Sequence, residues 1–198
     1  MTLPPVIRVF FAIDLPLAVK EKMGLFISSL KKKSKSHAIR WTRPENLHVT
    51  LQFLAEVKSA DLPNLINMVR EELFGAISDA TLTFGDLHLF PNPYRPRVIV
   101  MDVMPQDKLA LLSQLIGNSI KKMGYEIDVR PFRGHLTLGR IKHAHGVNLD
   151  FLGEAEKPLF DDLALTEVVL FRSEPLPEGS KYSALERITL KARISCEN

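Results

Sequence analysis

A four-residue pattern of histidine, apolar residue, threonine and apolar residue occurs twice in this 198-residue chain. The copies are His48-Val49-Thr50-Leu51 and His135-Leu136-Thr137-Leu138, with the histidines 87 positions apart. Each copy sits in a stretch that alternates as a strand does, NLHVTLQFL from Asn46 and GHLTLGRIK from Gly134. In an extended strand, residues two apart share a face. Each histidine therefore projects beside its threonine, while Val49, Leu51, Leu136 and Leu138 turn the other way into a core. The same alternation adds Asn46 and Gln52 to the first polar row and Arg133 to the second.

The surrounding pattern repeats as well. Val6–Asp14 is rich in Val, Ile and Phe and is expected to be a strand. Over Leu17–Lys33 the spacing becomes helical, with Val19, Met23, Phe26 and Leu30 on one face. A short strand, Ala38–Thr42, and the turn at Pro44 lead into the first motif. A helix over Asp61–Phe74 and strands over Ala80–Phe90 and Arg97–Val103 follow. The order then recurs: a helix over Gln106–Met123, ended by Gly124 where a left-handed cap is wanted, then Tyr125–Arg130, the Pro131 break and the second motif strand, Gly134–Lys142. Residues 143–158 are polar loop. Leu163–Arg172 and Tyr182–Lys191 close the chain as strands around a loop holding Pro175, Pro177 and Gly179. Helix, strand and motif strand thus occur twice with no low-complexity linker between them. An internal duplication packed as two lobes around one cleft accounts for this, in a single bilobal domain over 1–198.

Composition excludes some function classes. No run of eighteen apolar residues is present, so no membrane span is expected. The apolar start is followed at once by Asp14 and has no basic leader, and is expected to be a strand and not a signal peptide. Cys196 is the only cysteine, so no internal disulfide can form, and a reducing, cytoplasmic setting is expected. Nothing calls for an obligate dimer, and a monomer is the expectation. The net charge is only +3, but residues 1–43 hold nine Lys/Arg against two Asp/Glu, and a second basic stretch runs from Lys121 to Lys142. Such stretches suit phosphate or nucleic acid. For Lys31–Lys35 the plainer reading is lysines gathered at a helix C-terminus, where they complement the dipole.

Across one cleft the two polar rows suggest a specific chemistry. Imidazoles titrating near about 6.5 can share acid and base roles at neutral pH. In-line cleavage of a phosphodiester needs such a pair, a base for the attacking water and an acid for the leaving oxygen. Threonine hydroxyls and an arginine can donate hydrogen bonds to the non-bridging oxygens as charge builds. This scheme calls for no metal and no cofactor.

The two motifs resemble the signatures of the 2H phosphoesterases. The chain more closely resembles the RNA 2′,3′-cyclic phosphodiesterases, also called 2′–5′ RNA ligases, through RVFFAIDLP, PENLHVTLQFL, RPFRGHLTLGRIK, LFRSEP and KYSALERITL. The resemblance implies an α+β, bilobal, pseudo-twofold fold, with two antiparallel-rich sheets flanking a central cleft and helices outside. It implies metal-independent opening of an RNA 2′,3′-cyclic phosphate to a 2′-phosphomonoester, reversible as 2′–5′ ligation. By position, His48 would be the proton donor to the leaving 3′ oxygen and His135 the proton acceptor. Thr50, Thr137 and Arg133 would hold the phosphate. Relatives commonly carry proline before the second histidine; here Gly134 stands there, an exchange expected to loosen the start of that strand.

Trp41, in RWTRP, either stacks a base or packs half-buried in the core. Tyr94, Arg95 and Arg97 lie in a proline-rich loop that either touches RNA or is merely solvated. His143 and His145 have the look of a metal pair but lack a carboxylate or cysteine at useful spacing. His37 and His88 are expected to be structural or exposed. A different class of function, a non-catalytic module that binds a nucleotide or RNA end in the same cleft, needs only the donors and not both histidines.

Overall fold

The computed structural model describes residues 3–77, 80–142, 147–177 and 179–190. His143, His145 and Cys196 lie outside these residues. Val6–Asp14 forms β1 and Leu17–Ser34 forms α1, followed by β2 at Ile39–Trp41 and β3 at His48–Lys58. A short 3-10 turn over Pro44–Asn46 delivers the chain into β3, so Asn46 precedes the strand. Next come α2 (Leu62–Leu73), β4 (Thr81–Phe90), β5 (Val98–Met104), α3 (Gln106–Lys122) and β6 (His135–Ile141). The chain ends in β7 (Leu163–Ala164), β8 (Glu167–Leu176) and β9 (Gly179–Thr189).

The described strands form an antiparallel array in the order β7-β4-β5-β6-β3-β1-β8-β9, with β2 also paired to β6. This order reads symmetrically outward from the β6/β3 seam. On one side β3 pairs β1, β1 pairs β8 and β8 pairs β9; on the other β6 pairs β5, β5 pairs β4 and β4 pairs β7. The two antiparallel halves meet in the pair Val49–Leu136. These residues are themselves 87 positions apart, so the pseudo-twofold relation passes between them.

Apolar periodicity explains which face is covered. Leu109, Leu112, Ile116 and Ile120 of α3 are fully buried, as their spacing requires, and pack in one core with Val49, Leu51, Leu136 and Leu138. On α1 the buried row is Met23, Phe26, Ile27 and Leu30, and on α2 it is Leu62, Leu65, Val69 and Leu73. Val19 and Ile66 sit at the edges of these rows and are only partly buried. Gly124 does end α3, at φ 80, the left-handed conformation that glycine adopts without penalty.

The C-terminal region departs from expectation. The segment over 163–172 is broken into β7, at one end of the sheet order, and β8, next to the last strand at the other end. Pro175 is in β8 and not in a loop, opposite Ser180. Beyond Arg172 the β1 side of β8 is unpaired, so the missing N–H of Pro175 costs no ladder bond.

Candidate active site

The face of β3 and β6 turned away from the helices carries both motifs. Because Val49 lies opposite Leu136 in an antiparallel pair, His48 falls across from Thr137 and Thr50 across from His135. The two histidines are then diagonal neighbours, roughly 7–8 Å apart at the backbone by ordinary sheet geometry. One small anion can reach both rings.

Each imidazole is oriented in the same way. The Nδ1 of His48 is 2.6 Å from the carbonyl oxygen of Asn46, and the Nδ1 of His135 is 2.8 Å from that of Arg133. Nδ1–H donates in both cases, which leaves each Nε2 as the reactive nitrogen. The His48 Nε2 stands 3.0 Å from the Thr50 hydroxyl. Aspartates occupy matching places, Asp14 opposite His48 on β1 and Asp102 opposite His135 on β5. Asp14 pairs with Lys20, while Asp102 holds His88 and Arg133.

The rings differ in their surroundings. His48 is boxed by Phe10 at 4.7 Å, by the edge of Tyr182 at 5.2 Å and by Phe171 at 6.4 Å. This desolvation pushes its imidazole down to about 4, against smaller raising effects from the Asn46 carbonyl and Asp14. His135 stacks on Phe90 at 5.8 Å. Desolvation lowers its imidazole too, with Arg133 and Arg140 adding to the effect.

A matched irregularity sets what else reaches this face. In β3 the pairing with β1 skips Leu51, and in β6 the pairing with β5 skips Leu138. The two leucines are equivalent positions, and each is the extra residue of a β-bulge, which re-aims the side chains beyond it. The bulge carbonyls are both satisfied: the buried Ser113 hydroxyl donates to Leu51 O at 2.8 Å, and Thr42 N–H donates to Leu138 O at 2.8 Å. Past the bulges, Gln52 and Gly139 turn to the covered side, while Phe53 and Arg140 turn to the open one. Gln52 accordingly leaves the polar row where simple alternation places it, and its amide donates to Ser113.

A cavity of about 450 Å³ opens over the seam. His48, Thr50 and Thr137 line it; His135 is outside the lining and stands at its edge in the strand, two positions before Thr137 on the same strand face. Arg8, Arg40, Arg43 and Arg140 also line it, and no carboxylate does. Arg133 is absent from this lining; its guanidinium is held 2.8 Å from Asp102. Of the arginines that do line the cavity, Arg140 is the one on a motif strand. The signal in the sequence is Gly139, which lets the strand pass close under Trp41; a Cβ there would stand 3.2 Å from the indole. Trp41 is half-buried, as one of its two readings expects. It lines the cavity and also packs on the core, with Phe151 at 6.4 Å.

Gly134 does not loosen the approach to His135. The Gln106 side chain clamps its peptide, accepting from Gly134 N–H at 2.9 Å and donating to Gly134 O at 2.8 Å. A proline could not make the first of these bonds. The charge runs also resolve. Lys31, Lys32 and Lys33 occupy the last turn of α1, and Lys122, Arg130 and Arg133 are paired with Glu72, Asp128 and Asp102. Among the described residues no group of three His, Cys, Asp or Glu is placed to hold a metal ion, and no helix is long and apolar enough to cross a membrane.

Comparison with known proteins agrees with this geometry. The family described as LigT like phosphoesterase matches residues 13–100. A relative from Archaeoglobus fulgidus named RNA 2′,3′-cyclic phosphodiesterase is 30% identical over 178 residues, covering 90% of this chain and 97% of the relative. One of the same name from Escherichia coli K12 is 30% identical over 188 residues, covering 92% and 96%. The crystal structure of E. coli LigT complexed with 3′-AMP superposes with a TM-score of 0.72 at 28% identity, covering 93% of this chain and 98% of that one. Likeness of this extent goes beyond a shared fold, and the chain belongs to the LigT-like, or 2H, phosphoesterase family.

Proposed function

We propose that this phosphoesterase opens RNA 2′,3′-cyclic phosphate ends to 2′-phosphomonoesters, without a metal, using His48 as proton donor and His135 as proton acceptor. The observation that carries the reading is the Val49–Leu136 pair, which turns both histidines and both threonines to one side. The names of the relatives and the 3′-AMP bound to E. coli LigT support the substrate class.

In the proposed step the neutral Nε2 of His135 takes a proton from water as its oxygen bonds to phosphorus. The P–O3′ bond breaks in line, and Nε2–H of His48 protonates the departing O3′. Thr50 and Thr137 donate to the non-bridging oxygens. Arg140, which faces the cavity, takes the charge-stabilising role that Arg133 cannot fill while bound to Asp102. Trp41 offers the terminal base an aromatic edge of the cavity. The same path, with a ribose 5′-hydroxyl attacking in place of water while P–O3′ breaks, makes a 2′–5′ bond, and its reverse cleaves one.

The test is turnover of a 2′,3′-cyclic nucleotide or oligonucleotide in excess EDTA, with the product identified. A 2′-phosphate is expected. Absence of turnover by the wild-type protein, together with tight binding of the same ligand, would replace this reading with that of a binding module.

A further inference from the structure

Two groups stand out among the arginines of this protein. Arg70, Arg130, Arg133, Arg172 and Arg187 are each paired with a carboxylate. Arg40, Arg95, Arg97, Arg140 and also Lys142 have no carboxylate partner among the described residues. These five are not scattered. Arg40 stands directly opposite Arg140 in the β2–β6 pair, and Arg140 opposite Val98, next to Arg97. Like charges placed opposite one another on adjacent strands destabilise a sheet. Their retention without neutralising acids calls for an anion from outside.

A second cavity, of about 820 Å³, begins where the first ends, because Arg140 lines both. Its lining includes Tyr94, Arg95, Arg97 and Lys142, and no carboxylate. The loop that supplies Tyr94 and Arg95 is built to hold them outward. The Asn92 side-chain oxygen accepts from both of their N–H groups, at 3.1 and 3.0 Å, and Arg97 N–H closes the loop onto Phe90 O at 2.9 Å. Tyr94 is left 93% exposed. Unpaired cations along a groove with a projecting aromatic ring are the parts of a single-stranded nucleic acid track.

We infer that the strand upstream of the cyclic end leaves the active site past Arg140 and lies along the groove of Arg95, Arg97 and Lys142, with Tyr94 stacking one upstream base. The inference rests on the proposed RNA-end reaction, and adds that the enzyme grips a chain and not only its terminal nucleotide. A cyclic mononucleotide has no upstream phosphates and fills only the first cavity.

The experiment compares a 2′,3′-cyclic mononucleotide with a short RNA ending in the same cyclic nucleotide, in the wild-type protein and in an R95E/K142E variant. Tyr94→Ala provides a milder variant, and Lys31→Ala with Lys32→Ala provides a control for general charge. Wild-type kcat/KM is expected to be higher for the RNA and to fall with salt. For single strands each phosphate contact contributes about 0.7 to the logarithmic salt slope. The R95E/K142E variant should lose about 10-fold or more on the RNA at low salt, with a shallower slope, and leave the mononucleotide rate unchanged. That unchanged rate also reports a folded protein. Tyr94→Ala should weaken RNA alone, and the α1 control neither substrate. Equal loss on both substrates, no loss on either, or an equal effect of the α1 control would overturn the track. Failure of the wild type to open either substrate would instead overturn the proposed reaction.

Discussion

His48 and His135 hold equivalent places on equivalent strands, yet their unequal surroundings bear on how protons move. Desolvation keeps both imidazoles below their ordinary range, His48 the more strongly at about 4. A bound phosphate anion favours the protonated ring and raises both. Since kcat/KM reports the free enzyme and kcat the complex, both limbs of the kcat profile should lie at higher pH than those of kcat/KM. Superimposable profiles, measured between pH 4 and 9, would remove the pair from proton transfer. Replacing either histidine by alanine should lower kcat by about 10²–10⁴-fold. Arg140→Ala should reduce kcat/KM by about 10²-fold, whereas Arg133→Ala should cost only a few-fold. Assays of the two variants on a cyclic mononucleotide decide between these arginines. The contrast shows how far the sequence could be read. The histidines and threonines precede the bulges and follow simple alternation, so period two located them. Arg140 follows a bulge, so simple alternation from His135 points to the wrong face for it. Arg133 sits in range of the site by number, but Asp102 on β5 claims its guanidinium, a contact that only the fold creates.

At the scale of the elements, α1, α2, α3 and the longer core strands were legible because apolar rows of the right period occur in them, whereas the two-residue β7 is too short to show one. The breaks were less legible. Nothing local announces that Leu51 and Leu138 are extra residues, since each looks like one more buried leucine. The bulges are fixed by partners distant in sequence, Ser113 on α3 and Thr42 after β2. Gln106 acts similarly at the head of β6, where its amide replaces a stiff residue with two hydrogen bonds to the Gly134 peptide. Gln106→Leu should therefore lower kcat more than it raises KM, because the position of His135 and not the binding of substrate is what it fixes. The lost bonds are worth about 1–3 kcal/mol, so a thermal melt should show a shift of a few degrees. A variant with unchanged kcat and the same melt shift would make the clamp purely structural.

For the whole molecule, proton linkage ties the site to stability. Between about pH 6.5 and 4 the unfolded chain accepts a proton on His48 that the folded protein refuses. The unfolded state binds more protons there, so stability falls as pH drops through this window, by about 3 kcal/mol in all from this residue. His48→Gln should accordingly lose less melting temperature than wild type between pH 7 and pH 4. An identical loss in both proteins would place the ring in solvent. The symmetric strand order also places the polar face of the seam at the centre, while the flanking walls differ, with Phe53 under Arg8 on one side and Arg140 on the other. Exchanging those two residues, F53R with R140F, should raise the share of 3′-phosphate among the products, as read by chromatography.

The meeting of Val49 with Leu136 has one more consequence. A contact between a residue and its own counterpart is the kind made when two copies of one short polypeptide associate back to back. An ancestor half this length could have built the same seam as a homodimer, with two chemically identical imidazoles. In such an assembly only the asymmetry of the bound ester decides which ring gives a proton and which receives one; fusion of the halves then let each wall change separately.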